Sequence, residues 1–317
     1  MVDTRAPISA RGVRAKARRR TLNRVKRHWQ LYLLLILPLV WLIIFRYVPM
    51  YGLQIAFRNY MIRDGFWGSP WVGLQHFRSF ISSHQFPRLM GNTIGISLYT
   101  MLFTFFPPIM LAIAINECRI KFFKKSIQMI TYAPYFLSTV VVVSMLLQVF
   151  SFHGVVNTLI AMAGGERVSF MNDASLFRPL FVGSIVWQMT GYNSIIYIAA
   201  LAGVNPELQE AAEIDGANIW QRIWNVDIPG IMPTAIILLI LSAATILSVG
   251  FERVYLMQNP LNMSRSDVIA TFVYRIGLIN MDFSFATAVG LFQSVISLFF
   301  LLIVNKIAKR MSDISLF

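Results

Sequence analysis

Long apolar stretches separated by more polar segments recur along the 317-residue chain. Six of these stretches are long enough to cross about 30 Å of hydrocarbon as helices. They cover residues 31–48, 93–115, 127–150, 176–201, 232–249 and 286–304. Continuous apolar runs of this length are typical of membrane helices rather than of half-buried strands. The pattern therefore predicts an all-α, polytopic transmembrane helical bundle with six core spans.

One further apolar run, Val268–Tyr274, is too short to span and is followed at once by Arg275. A run of this length is typical of an interfacial or re-entrant segment. We therefore expect residues 267–280 to form a short helix on the outer side. The pattern alone does not separate a re-entrant segment from an outer helix.

Composition supports the membrane assignment. Charged residues make up 13% of the chain, against about 25% in soluble domains. The formal net charge of +14 is also compatible with nucleic-acid binding, but the basic residues lie mostly between the apolar runs, where they set orientation. We expect the lipid bilayer, and no nucleic acid, as a partner.

The distribution of lysine and arginine predicts the topology. Residues 1–27 hold ten of these residues and form a basic tail, which precedes a transmembrane domain covering residues 28–310. With six spans and a cytoplasmic tail, all seven lysines fall on the inner side, as the positive-inside rule requires. We therefore expect both termini in the cytoplasm.

Several kinds of site are missing from the sequence. The centres of the six spans hold no ionisable residue, although ion-coupled transporters commonly keep one there. Sodium can be held by backbone oxygens, so a secondary transporter or channel for a small polar solute remains an alternative. The scattered histidines form no H-E-x-x-H pattern, and no glycine is followed by lysine, as a Walker A loop requires. We expect no metal, no catalytic residue and no bound ATP, and a membrane-embedded enzyme is the weaker alternative.

The inner segment 205–229 has strong helix signals. Asn205 can cap a helix that has Pro206 at its first position. Gly216 interrupts the apolar spacing and predicts a bend between two short helices. We expect Pro229 to end the element. Its small residues allow close approach by a partner, but packing on the chain's own spans is equally compatible.

This segment resembles the "EAA" loop of binding-protein-dependent ABC importer permeases, which reads E-A-A, three residues, G, nine residues, I-x-L-P. The matching residues are Glu210, Ala211, Ala212, Gly216, Val226, Ile228 and Pro229, with Val226 and Ile228 in place of the usual Ile and Leu. The resemblance implies a MetI-like, maltose-permease-like fold. It also implies that the loop docks on an ATPase subunit.

The resemblance extends over most of the chain. Residues 46–52, 68–73, 92–93, 112–117 and 133–138 look like the branch that imports complex saccharides, and are similar to alginate- and pectin-oligosaccharide permeases. It implies a non-enzymatic subunit of the bacterial cytoplasmic (inner) membrane. The implied partners are a second permease, two ATPase subunits that bind ATP and Mg²⁺, an extracytoplasmic solute-binding protein and an oligosaccharide.

The fourth span carries a polar and aromatic cluster. Its members are Trp187, Gln188, Tyr192, Asn193 and Tyr197. Sugar sites combine aromatic faces with amides and hydroxyls, so the cluster is a candidate for the substrate path. Hydrogen bonding between helices uses the same residue types and is the alternative. Gln148, Ser242, Thr245, Ser248 and Gln293 are weaker candidates.

The outer segments carry an excess of arginine. Nine arginines lie there against six acidic residues, and no lysine. Because a guanidinium binds carboxylates through a planar fork, this excess favours an anionic saccharide. Arginine-rich composition, lipid head groups and an acidic face on the binding protein are alternative explanations.

Overall fold

The computed structural model describes residues 27–244 and 250–312. The chain divides into two compact units at Ile55/Ala56. Within the described residues there is no β-strand, and one isolated bridge pairs Arg58 with Trp71. This agrees with the predicted all-α class. Nearly all of the predicted basic tail, residues 1–26, and the end of the fifth predicted span lie outside the described residues.

The first unit is built on one helix, α1, which covers Trp29–Leu42. It continues through a π turn at Ile43–Tyr47, a short α segment at Val48–Met50 and a 3-10 turn that begins at Tyr51. The apolar side chains of this stretch are those of the first predicted span. Its length and composition are sufficient to cross a membrane.

The second unit contains the remaining helices, of which four have more than 15 residues. In chain order they are α2 Gly65–Gly68, α3 Gln75–Ile81, α4 Phe86–Glu117, α5 Lys121–Tyr132, α6 Thr139–Val149, α7 Val155–Met162, α8 Ala174–Leu201, α9 Pro206–Ile214, α10 Ile219–Arg222, α11 Ile228–Ala244, α12 Phe251–Met257, α13 Met263–Ser266, α14 Ile269–Tyr274 and α15 Phe283–Ser312.

Four helices in the described part of the chain are long and apolar enough to cross a membrane, and the bent pair α5–α6 adds a fifth crossing if it counts as one. Helix α8 is long enough, with 28 residues, but its polar residues make it less apolar than these. It coincides with the fourth predicted span. The count of six spans therefore remains a prediction.

The third predicted span, residues 127–150, is not one straight helix. The chain bends by 103° between α5, extended by a 3-10 turn at Ala133–Phe136, and α6. Pro134 shortens the first helix, and Ser138 caps the second by accepting a hydrogen bond from the backbone N–H of Val141 at 3.4 Å. A capping residue starts a new helix because it satisfies an exposed backbone donor. The single-span prediction missed this break.

The prediction that Pro229 ends the 205–229 element is wrong. The helix runs without a break from α10 through a π turn at Ile223–Asp227 into α11, and Pro229 is the second residue of α11. A proline in a regular helix loses a hydrogen bond and clashes with the carbonyl one turn earlier. The wider π turn directly before Pro229 changes that geometry and accommodates the ring.

Helices α4 and α8 pack together and connect three apolar clusters. One end of the pair packs against α6 and α12, with Phe181 at the centre of the cluster. The other end packs against α11 around Tyr197 and Ile231. A third cluster, around Phe80, joins α3, α4, α14 and α15. The pair therefore fixes the positions of the segments that precede and follow it.

Gly191 allows the close approach of α8 to α5. A Cβ atom at this position would collide with the backbone carbonyl of Thr131. We expect Gly191→Ala to lower the free energy of unfolding by about 1–3 kcal/mol through overpacking. The measurement is the thermal midpoint of the purified chain in mild detergent.

Gly183 of the same helix provides the matched control. A Cβ there would meet no atom within 4 Å, so Gly183→Ala should leave the midpoint unchanged or raise it slightly, since alanine favours helix over glycine. Equal midpoints for the two variants would contradict the described packing of α8 on α5.

Candidate functional site

The 205–229 loop folds as two short helices joined by a bend. The Asn205 side chain accepts a hydrogen bond from the backbone N–H of Glu207 at 3.1 Å, and Pro206 begins α9. Gly216 has φ = +77°, in the left-handed region that favours glycine. Asn218 and Gln221 then form a capping box that starts α10. The predicted cap and bend are thus both observed.

A buried arginine holds the loop against the end of α4. The side chain of Arg222 is only 10% exposed and pairs with Glu213 of α9 and, at 3.3 Å, with Glu117 of α4. Gln209 of α9 donates a hydrogen bond to Asp227 at 2.7 Å. These contacts join α4, both helices of the loop and the start of α11. We call Arg222, Glu117, Glu213 and Asp227 the Arg222 cluster.

The cluster borders an open cavity of about 450 Å³, which Gln209 and Glu210 also line. Two carboxylates pair with the Arg222 guanidinium and a third, that of Asp227, accepts from Gln209, so the formal charge of the cluster is negative. Asp227 is 1% exposed and its Oδ2 atom has no hydrogen-bond partner among the described residues. A net negative charge of this kind favours a nearby positive group.

The other face of the loop exposes large apolar side chains. Ile214 is 86% exposed and Trp220 72% exposed, and Leu208 and Trp224 are also exposed. Contiguous apolar patches on a polar segment are typical of protein interfaces. The loop is therefore fastened to its own chain through the Arg222 cluster and also exposes several large apolar side chains.

The seven residues of the motif fall into two groups. Glu210, Ala211 and Gly216 are exposed and Ala212 is half-buried, all on α9 or at the bend. Val226, Ile228 and Pro229 lie in the π turn and the start of α11, beyond α10.

The sequence argument missed the Arg222 cluster, because Glu117 lies far from the loop along the chain. Within the loop itself, the only sequence signal of this cluster was the opposite charge of Glu213 and Arg222, nine residues apart.

Gln188, predicted for the substrate path, is instead buried, and its side-chain amide forms hydrogen bonds within the chain. It is 3% exposed, and its amide nitrogen donates to the Leu137 carbonyl at 2.8 Å, which the break between α5 and α6 leaves free. Arg253 of α12 donates to the Gln188 amide oxygen and to the hydroxyl of Ser184 at 2.8 Å. Gln188 therefore makes hydrogen bonds between helices, which was the alternative to a substrate contact.

Within the part of the chain that the structure describes, no single cavity is lined by all of the other four path candidates. Tyr192 stacks on Tyr135 with ring centroids 3.6 Å apart and an angle of 3°. Trp187 lines a separate apolar cavity of about 460 Å³ between α6 and α8. Asn193 and Tyr197 line a smaller one of about 160 Å³ against α4 and α11. Of the weaker candidates, Ser242 lines this last cavity, and Thr245 and Ser248 lie outside the described residues.

The family profile described as "Binding-protein-dependent transport system inner membrane component" matches residues 108–313. The chain belongs to this family. The matched range contains the whole 205–229 loop and the helices α8, α11 and α15. Membership agrees with the family suggested by the loop motif, and it makes the chain a multi-pass inner-membrane permease subunit rather than an enzyme.

Curated relatives extend the similarity over nearly the whole chain. LplB of Bacillus subtilis is 43% identical over 294 residues, 92% of either chain. YteP of the same organism, a polygalacturonan/rhamnogalacturonan transport system permease protein, is 36% identical over 313 residues, 98% of either chain. AraP, an arabinooligosaccharides transport system permease protein from that organism, is 25% identical over 76% of either chain.

A solved structure is similar in three dimensions as well. One chain of a bacterial ABC transporter involved in the import of the acidic polysaccharide alginate superposes with a TM-score of 0.86 and 38% identity. The match covers 92% of this permease and 99% of that chain. A second structure of an alginate transporter, in complex with an alginate pentasaccharide-bound periplasmic protein, matches equally well, with a TM-score of 0.86.

The nine arginines that are predicted to lie on the outer side are mostly engaged in internal contacts. Arg58 donates to the Ser69 carbonyl, Arg167 contacts His153, Arg178 donates to Asn92, and Arg253 is buried. Arg88 and Arg275 both pair with Asp267. Six of the nine arginines thus have partners within the chain. The expected excess of arginine does not by itself supply nine free guanidiniums for a substrate.

Proposed function

We propose that this permease forms half of the translocation path of an ATP-driven importer for an anionic oligosaccharide of the uronate class. A second permease subunit forms the other half, two ATPase subunits supply the energy, and an extracytoplasmic solute-binding protein delivers the substrate. The observation that carries the proposal is the 205–229 loop, which is fastened to the end of α4 by Arg222 and exposes large apolar side chains.

The exposed face of the loop is proposed to dock on an ATPase subunit. Ile214 and Trp220 would be covered by apolar groups of that subunit. Glu210, which is exposed and lines the negatively charged cavity, would meet a basic group. The role of Gly216 is to hold the bend that turns α9 toward the partner. Val226, Ile228 and Pro229 lie in the continuous helix that would carry the motion onward.

ATP and Mg²⁺ are assigned to the ATPase subunits. The permease sequence has no Gly-Lys pair and hence no phosphate-binding loop of the Walker A type. Both termini are proposed to lie in the cytoplasm, because all seven lysines then lie on the inner side. In this orientation the 205–229 loop faces the compartment that contains ATP.

The substrate class is inferred from the relatives. One relative at 36% identity transports polygalacturonan and rhamnogalacturonan, and the structural neighbour at 38% identity belongs to an importer of alginate. The polymers transported by these relatives are rich in carboxylates. The described residues offer no ion pair to Arg78 or Arg265, and these two arginines leave positive charge on the outer side that would attract such a substrate.

The stacked pair Tyr135–Tyr192 is proposed as a contact for the saccharide in the path. Tyr192 is 39% exposed although it lies well inside α8. Tyr135 lies beside the break between α5 and α6, and flat aromatic faces are common in ligand sites that also carry a few polar groups. Trp187, Asn193 and Tyr197 belong to neighbouring cavities and would shape the path rather than form one site.

The substrate proposal is tested on the complete complex purified with the subunits and binding protein that accompany it and reconstituted in vesicles. We expect uronate oligosaccharides, presented with the binding protein, to stimulate ATP hydrolysis more than neutral oligosaccharides of equal length. Stimulation by neutral sugars alone would refute the anionic substrate. Failure of every saccharide to stimulate would refute the carbohydrate importer.

The role of the bend is tested at Gly216, where a left-handed residue other than glycine costs about 1–2 kcal/mol. A Cβ atom added at Gly216 would meet no other atom within 4 Å, so strain rather than a clash is the expected cause. Gly216→Val should abolish stimulated ATP hydrolysis and transport while the subunit stays inserted. Gly216→Asn, which tolerates positive φ, is the control and should keep most activity. Normal transport by the valine variant would contradict the coupling role.

The tyrosine pair is tested with Tyr192→Leu, which removes the stacked ring. Loss of an aromatic contact worth about 0.5–1.5 kcal/mol should slow transport roughly threefold to tenfold at saturating loaded binding protein. Tyr192→Phe keeps the ring and should transport close to the wild-type rate. Equal transport rates for the Tyr192→Leu and wild-type proteins would contradict the proposed contact between Tyr192 and the saccharide.

A further inference from the structure

Four arginines from four segments lie near one another at the ends of α4 and α8, and two of them pair with one carboxylate. Arg275 and Arg88 donate to the same oxygen of Asp267, at 2.8 and 3.5 Å. Asn92, which donates to the Asp267 backbone carbonyl at 3.0 Å, accepts a hydrogen bond from Arg178 at 3.1 Å. We call these three arginines and Arg265 the arginine cluster.

Arg265 completes the cluster from α13. Asn92 also donates to the carbonyl of Ser264, the residue before Arg265, at 3.1 Å. Arg265 lies close enough to Arg178 for the two positive charges to repel each other. Its side chain is exposed and has no ion-pair partner among the described residues. Like charges held together in this way favour an anion from outside the chain.

The charge of the cluster is only partly balanced. Asp267 is fully buried, and its second carboxylate oxygen already accepts a hydrogen bond from Thr271 at 3.2 Å. One carboxylate and four guanidiniums give the cluster a formal charge of +3, and only two of the guanidiniums pair with the carboxylate. Arg88, with 44% of its side chain exposed, and Arg265 direct this charge toward the surface.

The backbone that presents Arg265 is held rigidly. Asn262, 1% exposed, donates to the carbonyls of Met171 and Met257 at 2.9 and 3.0 Å. Asn259 donates to the same Met171 carbonyl at 2.9 Å. These bonds fasten the start of α13 to the chain that precedes α8. A rigid, preformed surface loses little conformational entropy when a partner binds.

We infer that the arginine cluster is a docking surface for an acidic face of the solute-binding protein. The inference rests on the proposed function, which requires such a protein to approach from the outer side. The cluster lies at helix ends with two of its side chains exposed, as expected for contact with a large partner. Guanidiniums bind carboxylates through paired hydrogen bonds, and charged rims speed the encounter of complementary proteins.

The test uses the complete complex in nanodiscs of neutral lipid and the binding protein that co-purifies with it. The variable is the concentration of loaded binding protein that gives half-maximal ATPase stimulation. Arg265→Gln should raise this concentration roughly twofold to fivefold at low ionic strength, as for one exposed ion pair. The increase should shrink in high salt, where exposed charges are screened. Arg265→Lys should retain part of the wild-type affinity.

Arg63→Gln is the matched control, because Arg63 is an exposed outer arginine outside the cluster. It should leave the half-maximal concentration unchanged, and basal ATP hydrolysis should be the same in all variants. Equal shifts for Arg63→Gln and Arg265→Gln would overturn the docking surface in favour of general charge attraction. A shift that occurs with a uronate-loaded but not a neutral-loaded binding protein would overturn it in favour of a substrate contact.

Two further results separate this inference from the proposed function and from lipid binding. An effect of Arg265→Gln that requires anionic lipid in the nanodisc would overturn protein docking and assign the cluster to lipid head groups. Absence of stimulation of the wild-type complex by any loaded binding protein would instead refute the importer itself. An unchanged half-maximal concentration in Arg265→Gln, with normal wild-type stimulation, overturns the docking surface alone.

Discussion

The central constraint on this permease is that polar groups in a hydrocarbon environment must find partners within the protein. The bend between α5 and α6 frees the carbonyl of Leu137, and Gln188 of α8 donates to it at 2.8 Å. Arg253 in turn donates to Gln188 and Ser184, so a buried cation joins the same network. The polar side chains of α8 are therefore needed to satisfy the backbone group that the bend between α5 and α6 leaves free. The close packing of Gly191 on α5 brings α8 within reach of that bend.

A second internal network lies near the C-terminal end of α8, where ionic contacts replace hydrogen bonds. Arg222 joins Glu117 at the end of α4 to Glu213 on α9, and the helix that carries Arg222 is continuous with α11 through the π turn. A displacement of the 205–229 loop would thus be transmitted to α4 and α11 together. Because these helices also share the Tyr197 cluster with α8, an ATPase that moves the loop would move the proposed path as one body.

The all-α class, the bend at Gly216 and the family could be predicted, because they depend on local apolar runs, helix signals and a spaced motif. The break at Ser138 and the passage of Pro229 through a helix could not, since each depends on how a neighbouring turn accommodates the chain. The role of Gln188 was also hidden. An amide in a span has the same sequence signature whether it faces a sugar or the Leu137 carbonyl, and Arg253, its second partner, is 65 residues away.

The most direct test of the account is a contact measurement on the assembled complex in its native membrane. A photo-crosslinking amino acid is placed at Ile214 or Trp220, and at Phe299 of α15, which is 61% exposed, as the control. The account predicts adducts with an ATPase subunit from the first two positions and none from the third. Adducts from positions 214 and 220 with lipid or with the permease alone would contradict the claim that this loop couples the permease to ATP hydrolysis.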